Sequence, residues 1–150
     1  MIGSWQRPGG MEMALPRSVE ARQYYRCALQ RFEDAEVLLR AAHTTGAVYL
    51  AGYAIECMLK ALILDSLAPA TRAAMLGKFR GARAHDYEWL RGQYVLNRGA
   101  RPPGGIAVDF TLVDGWSTDL RYVTRSLRSA EAEEFLQAAK RILDWADGRL

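Results

Sequence analysis

The chain has 150 residues, 50% of them hydrophobic and 25% charged, with a formal net charge of +3 and two cysteines. That is the length of one domain and the mix of a soluble globular protein that buries its core without staples. It excludes a disulfide scaffold and a low-complexity chain. Residues 1–17 contain Trp, Pro and Gly but hold no apolar stretch of the kind a secretion signal needs. They read as a disordered tail, with Met11 and Met13 as alternative starts.

Residues 18–42 form the first predicted helix. Ala21, Tyr25, Ala28, Phe32, Ala35, Leu39 and Ala42 recur at steps of three and four, which makes one apolar stripe. Ser18 is placed to cap its start. His43-Thr44-Thr45-Gly46 makes a short break, so the next helix runs back antiparallel to the first. That second helix runs from Gly46 to about Leu67, and from Ala47 to Leu64 only Glu56 and Lys60 are charged. Such a helix is covered on every side, either inside a bundle or inside a membrane. Two charges within a span cost about 2.5–3.5 kcal/mol each, and no second span follows, so a buried core helix is expected. Pro69 ends it.

Thr71–Leu76 suggests a short helix, and residues 85–96 form a third predicted helix with His85 and Asp86 in its first turn. Residues 97–114 read as a long connection around Arg101-Pro-Pro-Gly-Gly105, with a short strand at 106–113 that lacks a partner. Residues 116–128 form a fourth predicted helix. Its stripe is Trp116, Leu120, Val123 and Leu127, with Arg121, Arg125 and Arg128 as a separate basic row. Ser129 is expected to cap the last helix, whose stripe is Phe135, Ala139, Ile142 and Ala146. The sum is an all-α fold: an antiparallel up-and-down bundle of four to five helices over residues 18–150. Cys27 and Cys57 fall inside helices. A bridge between neighbouring helices is possible, but two buried free thiols in a reducing compartment are expected.

The chemistry the sequence offers is limited. Two histidines and no paired Cys or Asp give no metal-ligand spacing, no glycine loop follows a strand, and no serine-nucleophile signature is present. No metal and no cofactor are expected. All but three of the twenty cationic residues are arginines. Six of the cationic residues lie between Lys78 and Arg101, against Asp86 and Glu88, which suits a phosphate-bearing partner or simply a solvated surface. Three features stand out. Glu56 and Lys60, four apart, face one side of their helix and form either a structural buried pair or part of a pocket. Arg80 and His85 combine a phosphate clamp with a proton shuttle, although a histidine at a helix start also serves as a cap. Arg121, Arg125 and Arg128 beside Trp116 and Tyr122 combine phosphate contacts with base-stacking rings, or form a solvated arginine face.

The stretch Tyr49-Leu-Ala-Gly-Tyr-Ala-Ile-Glu-Cys-Met-Leu-Lys-Ala-Leu-Ile63, then His85-Asp86-Tyr87 with Leu90, and Trp116 with Leu120-Arg121-Tyr122, resembles the HEPN domains of higher eukaryotes and prokaryotes. Tyr24-Tyr25, Ala28, Phe32, Asp34-Ala35 and Leu38-Leu39 fit the first helix of that family. The resemblance implies a helical bundle that commonly forms a homodimer. It implies a cytoplasmic protein that binds a nucleotide, RNA or a partner protein, as one half of a toxin–antitoxin pair with a minimal nucleotidyltransferase. Many members are metal-independent endoribonucleases whose Arg precedes a His by four to six residues, usually near the last helices. Arg80 and His85 match that spacing ahead of the third helix, and no histidine follows Trp116. A ribonuclease toxin using Arg80 and His85 is therefore the alternative, and a purely structural or interaction bundle the second. The resemblance places Glu56, Lys60, His85, Arg121 and Tyr122 together around the central helix.

Overall fold

A computed structural model describes residues 15–97 and 99–150. Six α-helices and two short 3-10 turns carry the fold, with no strand among the described residues. Of the expected tail, residues 1–14 lie outside the described residues, while Arg17 is tied in place by its backbone N–H, which donates to Asp65 Oδ1 at 2.9 Å.

Helix α1 (Val19–Arg40) begins as its sequence predicts: the Ser18 hydroxyl accepts from the Ala21 N–H at 3.0 Å. Ala21, Tyr25, Ala28, Phe32 and Ala35 face the core. Helix α2 (Thr44–Asp65) is buried over most of its length. It is long and apolar enough to cross a membrane, yet most of it is covered by the protein's own helices, which fits a core helix. Arg17 beside Asp65 puts the start of α1 at the end of α2, so the two are antiparallel.

Pro69 does not only end α2. It is also the first residue of α3 (Pro69–Lys78), where its missing N–H is of no consequence. A 3-10 turn, Ala82–His85, precedes α4 (Tyr87–Leu96). Asp86 caps α4, accepting from the Glu88 N–H at 2.9 Å, so His85 sits just outside the helix rather than in its first turn.

Two expected elements take another form. Residues 106–113 belong to a helix, α5 (Gly104–Val113), and not to a strand. It starts directly after Pro102-Pro103, and buries Asp109, Phe110 and Val113. Residues 116–128 are not a helix. Only Thr118–Tyr122 forms a 3-10 turn, and 123–128 run without regular structure. Their carbonyls are used elsewhere: the Thr44 and Thr45 hydroxyls donate to the Leu127 and Arg125 carbonyls, each at 2.8 Å.

The last helix, α6 (Ser129–Asp147), starts one residue early, so Arg128 is the capping position and Ser129 lies inside. Its core stripe is the expected one. The Tyr25 hydroxyl donates to Asp147 at 2.8 Å, and α6 therefore runs antiparallel to α1 and parallel to α2. Arg141 forks onto Asp109 at 2.8–3.1 Å and ties α6 to α5.

Candidate functional site

The polar cluster is built on α2. Glu56 and Lys60 are one turn apart, and the Lys60 ammonium donates to Glu56 Oε1 at 2.7 Å. Both are buried, at 0% and 6% exposure. A third group joins from the 3-10 turn: His85 Nδ1 lies 3.0 Å from the same oxygen. A carboxylate oxygen only accepts, so Nδ1 carries the proton and Nε2 is left for other use. The Lys60 ammonium sits over the rings of Phe79 and Tyr24, at 5.3 and 5.7 Å from their centroids. Those rings meet edge to face at 5.9 Å, so the cation is enclosed by aromatic faces and one carboxylate. Glu56 Oε2 has no donor among the described residues.

Beside this cluster lies an aromatic stack. Tyr87 and Trp116 are parallel at 5.5 Å, and Trp116 continues onto Tyr49 at 6.0 Å. The Tyr87 hydroxyl donates to the Gly52 carbonyl at 2.7 Å, and the Trp116 N–H to the Tyr49 carbonyl at 3.2 Å. Gly52 is required here, because a Cβ on it would stand 2.2 Å from Trp116 Nε1. Burial, and then the negative charge of Glu56, hold the Tyr87 phenol well above its ordinary value. Trp116 is therefore a core residue, 6% exposed, and its faces already carry tyrosines. It is not a free platform for a base.

A groove of about 390 Å³ opens next to His85. Asp86, Glu88 and Asp114 line it together with Ser117 and Thr118. Arg91 forks onto Asp114 at 3.3–3.4 Å and stacks 4.2 Å over Phe110. This groove carries more negative than positive charge, so it is poorly suited to phosphate. Arg80 is exposed in the turn after α3 and is not among the groove's lining residues.

Arg121, Tyr122, Arg125 and Arg128 are all exposed on the segment between Trp116 and α6. Tyr122 is 76% exposed, with the Arg121 guanidinium 5.5 Å from its ring. Arg128 pairs with Glu131 at 2.7 Å, and this bond holds the Glu131 carboxyl below its usual value. Arg125 has no ion pair among the described residues. The fold thus brings Glu56, Lys60 and His85 together, and leaves Arg121 and Tyr122 exposed on the segment after Trp116. Tyr24, Phe79, Tyr87 and Gly52 complete the site without being foreseen from the sequence. An isolated glycine inside an apolar helix was the available signal for Gly52, since it marks a close approach.

The described residues hold no group of three or more His, Cys, Asp and Glu side chains suited to a metal ion. No curated protein and no solved structure matches the chain. The profile of the HEPN domain, however, matches residues 21–149. With its all-helical bundle and a central helix carrying Glu56 and Lys60, the chain belongs to the HEPN family of nucleotide- and RNA-related helical domains.

Proposed function

We propose that the protein is a binding module for single-stranded RNA, held through the segment from Arg121 to Arg128. The observation that carries this reading is Tyr122, 76% exposed to solvent with the Arg121 guanidinium 5.5 Å from its ring. An exposed ring offers a face to any base, and Arg121 and Arg125 offer guanidinium groups to the phosphates on either side. The bonds from Thr44 and Thr45 hold this segment against the start of α2, so the groups are presented by an anchored backbone.

The test is binding of a short labelled RNA at several salt concentrations. Affinity should fall steeply with salt. Tyr122→Ala should weaken binding by about 1–3 kcal/mol, the usual worth of one stacked base. Arg121→Ala with Arg125→Ala should reduce the salt slope, and neither change should alter the melting temperature. Salt-insensitive binding, or full affinity in the Tyr122 variant, overturns the reading.

Family membership supports two further parts of the proposal: a cytoplasmic homodimer, and a nucleotidyltransferase-type antitoxin as partner. Val108 and Leu112, exposed four residues apart on α5, support association with a second copy. Sedimentation of the purified chain and of a co-expressed pair tests both.

The ribonuclease alternative rests on one observation, the Glu56 carboxylate orienting His85 with Nε2 free. Against it stand the carboxylates lining the adjacent groove and the absence of Arg80 from that lining. Cleavage of RNA that is lost in His85→Ala would establish it.

A further inference from the structure

The two thiols face each other across the α1–α2 packing. The Cys57 S–H points at Cys27 Sγ over 3.8 Å, and both cysteines are free. Their access differs. Cys57 is buried, at 1% exposure. Cys27 is only half-buried, contrary to the expectation of two buried thiols, and borders a surface groove of about 400 Å³ lined by Arg22, Gln23, Arg26 and Gln30. A thiol with only a structural role is buried in apolar surroundings and inert, whereas reactive ones are partly open and lie near cations.

We propose that Cys27 is a site of oxidation by hydroperoxides, with Cys57 as the resolving thiol that closes a disulfide between α1 and α2. The hydrogen bond from Cys57, and then the Arg31 cation, bring the Cys27 thiol down to about 6, against burial and the charge of Glu56. Its partner moves the other way: the bond it donates, and burial, push the Cys57 thiol up. Near neutral pH the accessible sulfur is a thiolate and the buried one a thiol.

The chemistry balances in two steps. The Cys27 thiolate attacks the outer oxygen of hydrogen peroxide. An S–O bond forms and the O–O bond breaks. Hydroxide leaves, takes a proton and becomes water, and Cys27 is a sulfenic acid. With the Cys27 charge gone, the main cause that raised Cys57 is gone too. The Cys57 sulfur gives its proton to solvent and attacks the sulfenic sulfur. The S–S bond forms, the S–O bond breaks, and the hydroxide that leaves is protonated to a second water. Two thiols lose two electrons and one peroxide gains them. The sulfurs must close from 3.8 Å to a bond of about 2.05 Å, a movement of the order a χ1 adjustment supplies.

The experiment uses the reduced full-length chain and hydrogen peroxide. The mass should fall by about 2 Da, and digestion should yield the Cys27 peptide joined to the Cys57 peptide. In Cys57→Ala the sulfenic acid should persist on Cys27 and react with a 1,3-dione probe. In Cys27→Ala, Cys57 should stay reduced. On the unmodified sequence, alkylation of Cys27 should show its midpoint near pH 6 rather than at the ordinary thiol value of about 8.5. The groups facing Cys27 that shape this profile are Arg31 and Tyr24 on α1 and Cys57, Glu56 and Tyr53 on α2. Disulfides only between chains, no loss of mass, or an ordinary alkylation midpoint would each overturn the proposal.

Discussion

One oxygen of Glu56 serves both Lys60 and His85, and that sharing decides which substitutions the cluster withstands. Glu56→Ala leaves the Lys60 ammonium buried between two rings with no carboxylate, a change that costs about 3–5 kcal/mol. Lys60→Met keeps His85 on the carboxylate and puts an apolar chain of similar length between Tyr24 and Phe79. Urea denaturation should show it losing less than half as much. Its affinity for RNA should equal that of the unaltered chain, because binding is assigned to Tyr122 and its arginines. Loss of binding with an unchanged melting temperature would instead make Lys60 a phosphate ligand. The pairing of Glu56 with Lys60 was legible in the sequence, since residues four apart share a helix face. The arrival of His85 was expected from the family resemblance and not from spacing, because only the chain's path through α3 and the 3-10 turn brings it there.

The elements divide the same way. Helices α1 and α6 follow stripes of period 3.6 and α2 is apolar all round, and each appears within a few residues of its expected place. Helix α5 is hidden because glycine, valine and isoleucine are poor helix formers. Its packing on α6 through Phe110 and Val113, and the Asp109–Arg141 fork, outweigh those propensities. The expected helix at 116–128 fails although its periodic residues exist: after the 3-10 turn the chain runs without regular structure, and two threonine hydroxyls from α2 hold it at the Arg125 and Leu127 carbonyls. The turn between α1 and α2 was placed slightly late. His43 N–H bonds the Leu38 carbonyl and Ala42 N–H the Leu39 carbonyl, the double closure that ends a helix with a left-handed residue. That residue is Ala42, at φ 63°, where glycine is the usual choice, and the nearby Gly46 lies inside α2 instead. A left-handed alanine costs about 1–2 kcal/mol, and glycine returns part of that as extra freedom in the unfolded chain. Ala42→Gly should therefore stabilise by about 0.5–1 kcal/mol, visible as a rise of about 1–4 °C in melting temperature.

Across the whole molecule, buried phenols make stability sensitive to alkali. Burial raises Tyr87, Tyr24 and Tyr94, and the neighbouring Cys57 thiol, followed by burial, raises Tyr53. In the unfolded chain a phenol ionises at about 10. A folded value above that contributes stability that is complete below pH 10 and is lost as pH rises toward the folded value. Urea midpoints should fall beyond about pH 10. Tyr87→Phe should flatten part of that fall, at a cost near neutrality of about 0.5–1.5 kcal/mol for its bond to Gly52. The segment from Arg121 to Arg128 has another kind of consequence. What presents three arginines to a phosphate presents them equally to a protease that cuts after arginine, and two threonine hydroxyls hold the backbone down at the Arg125 and Leu127 carbonyls. Limited trypsin digestion should cut here first and separate α6 from the rest of the chain. Thr45→Val should hasten the cut, and bound RNA should delay it. The working lifetime of the molecule is then set less by its core than by two side chains at the start of α2 and by whatever occupies the segment they hold.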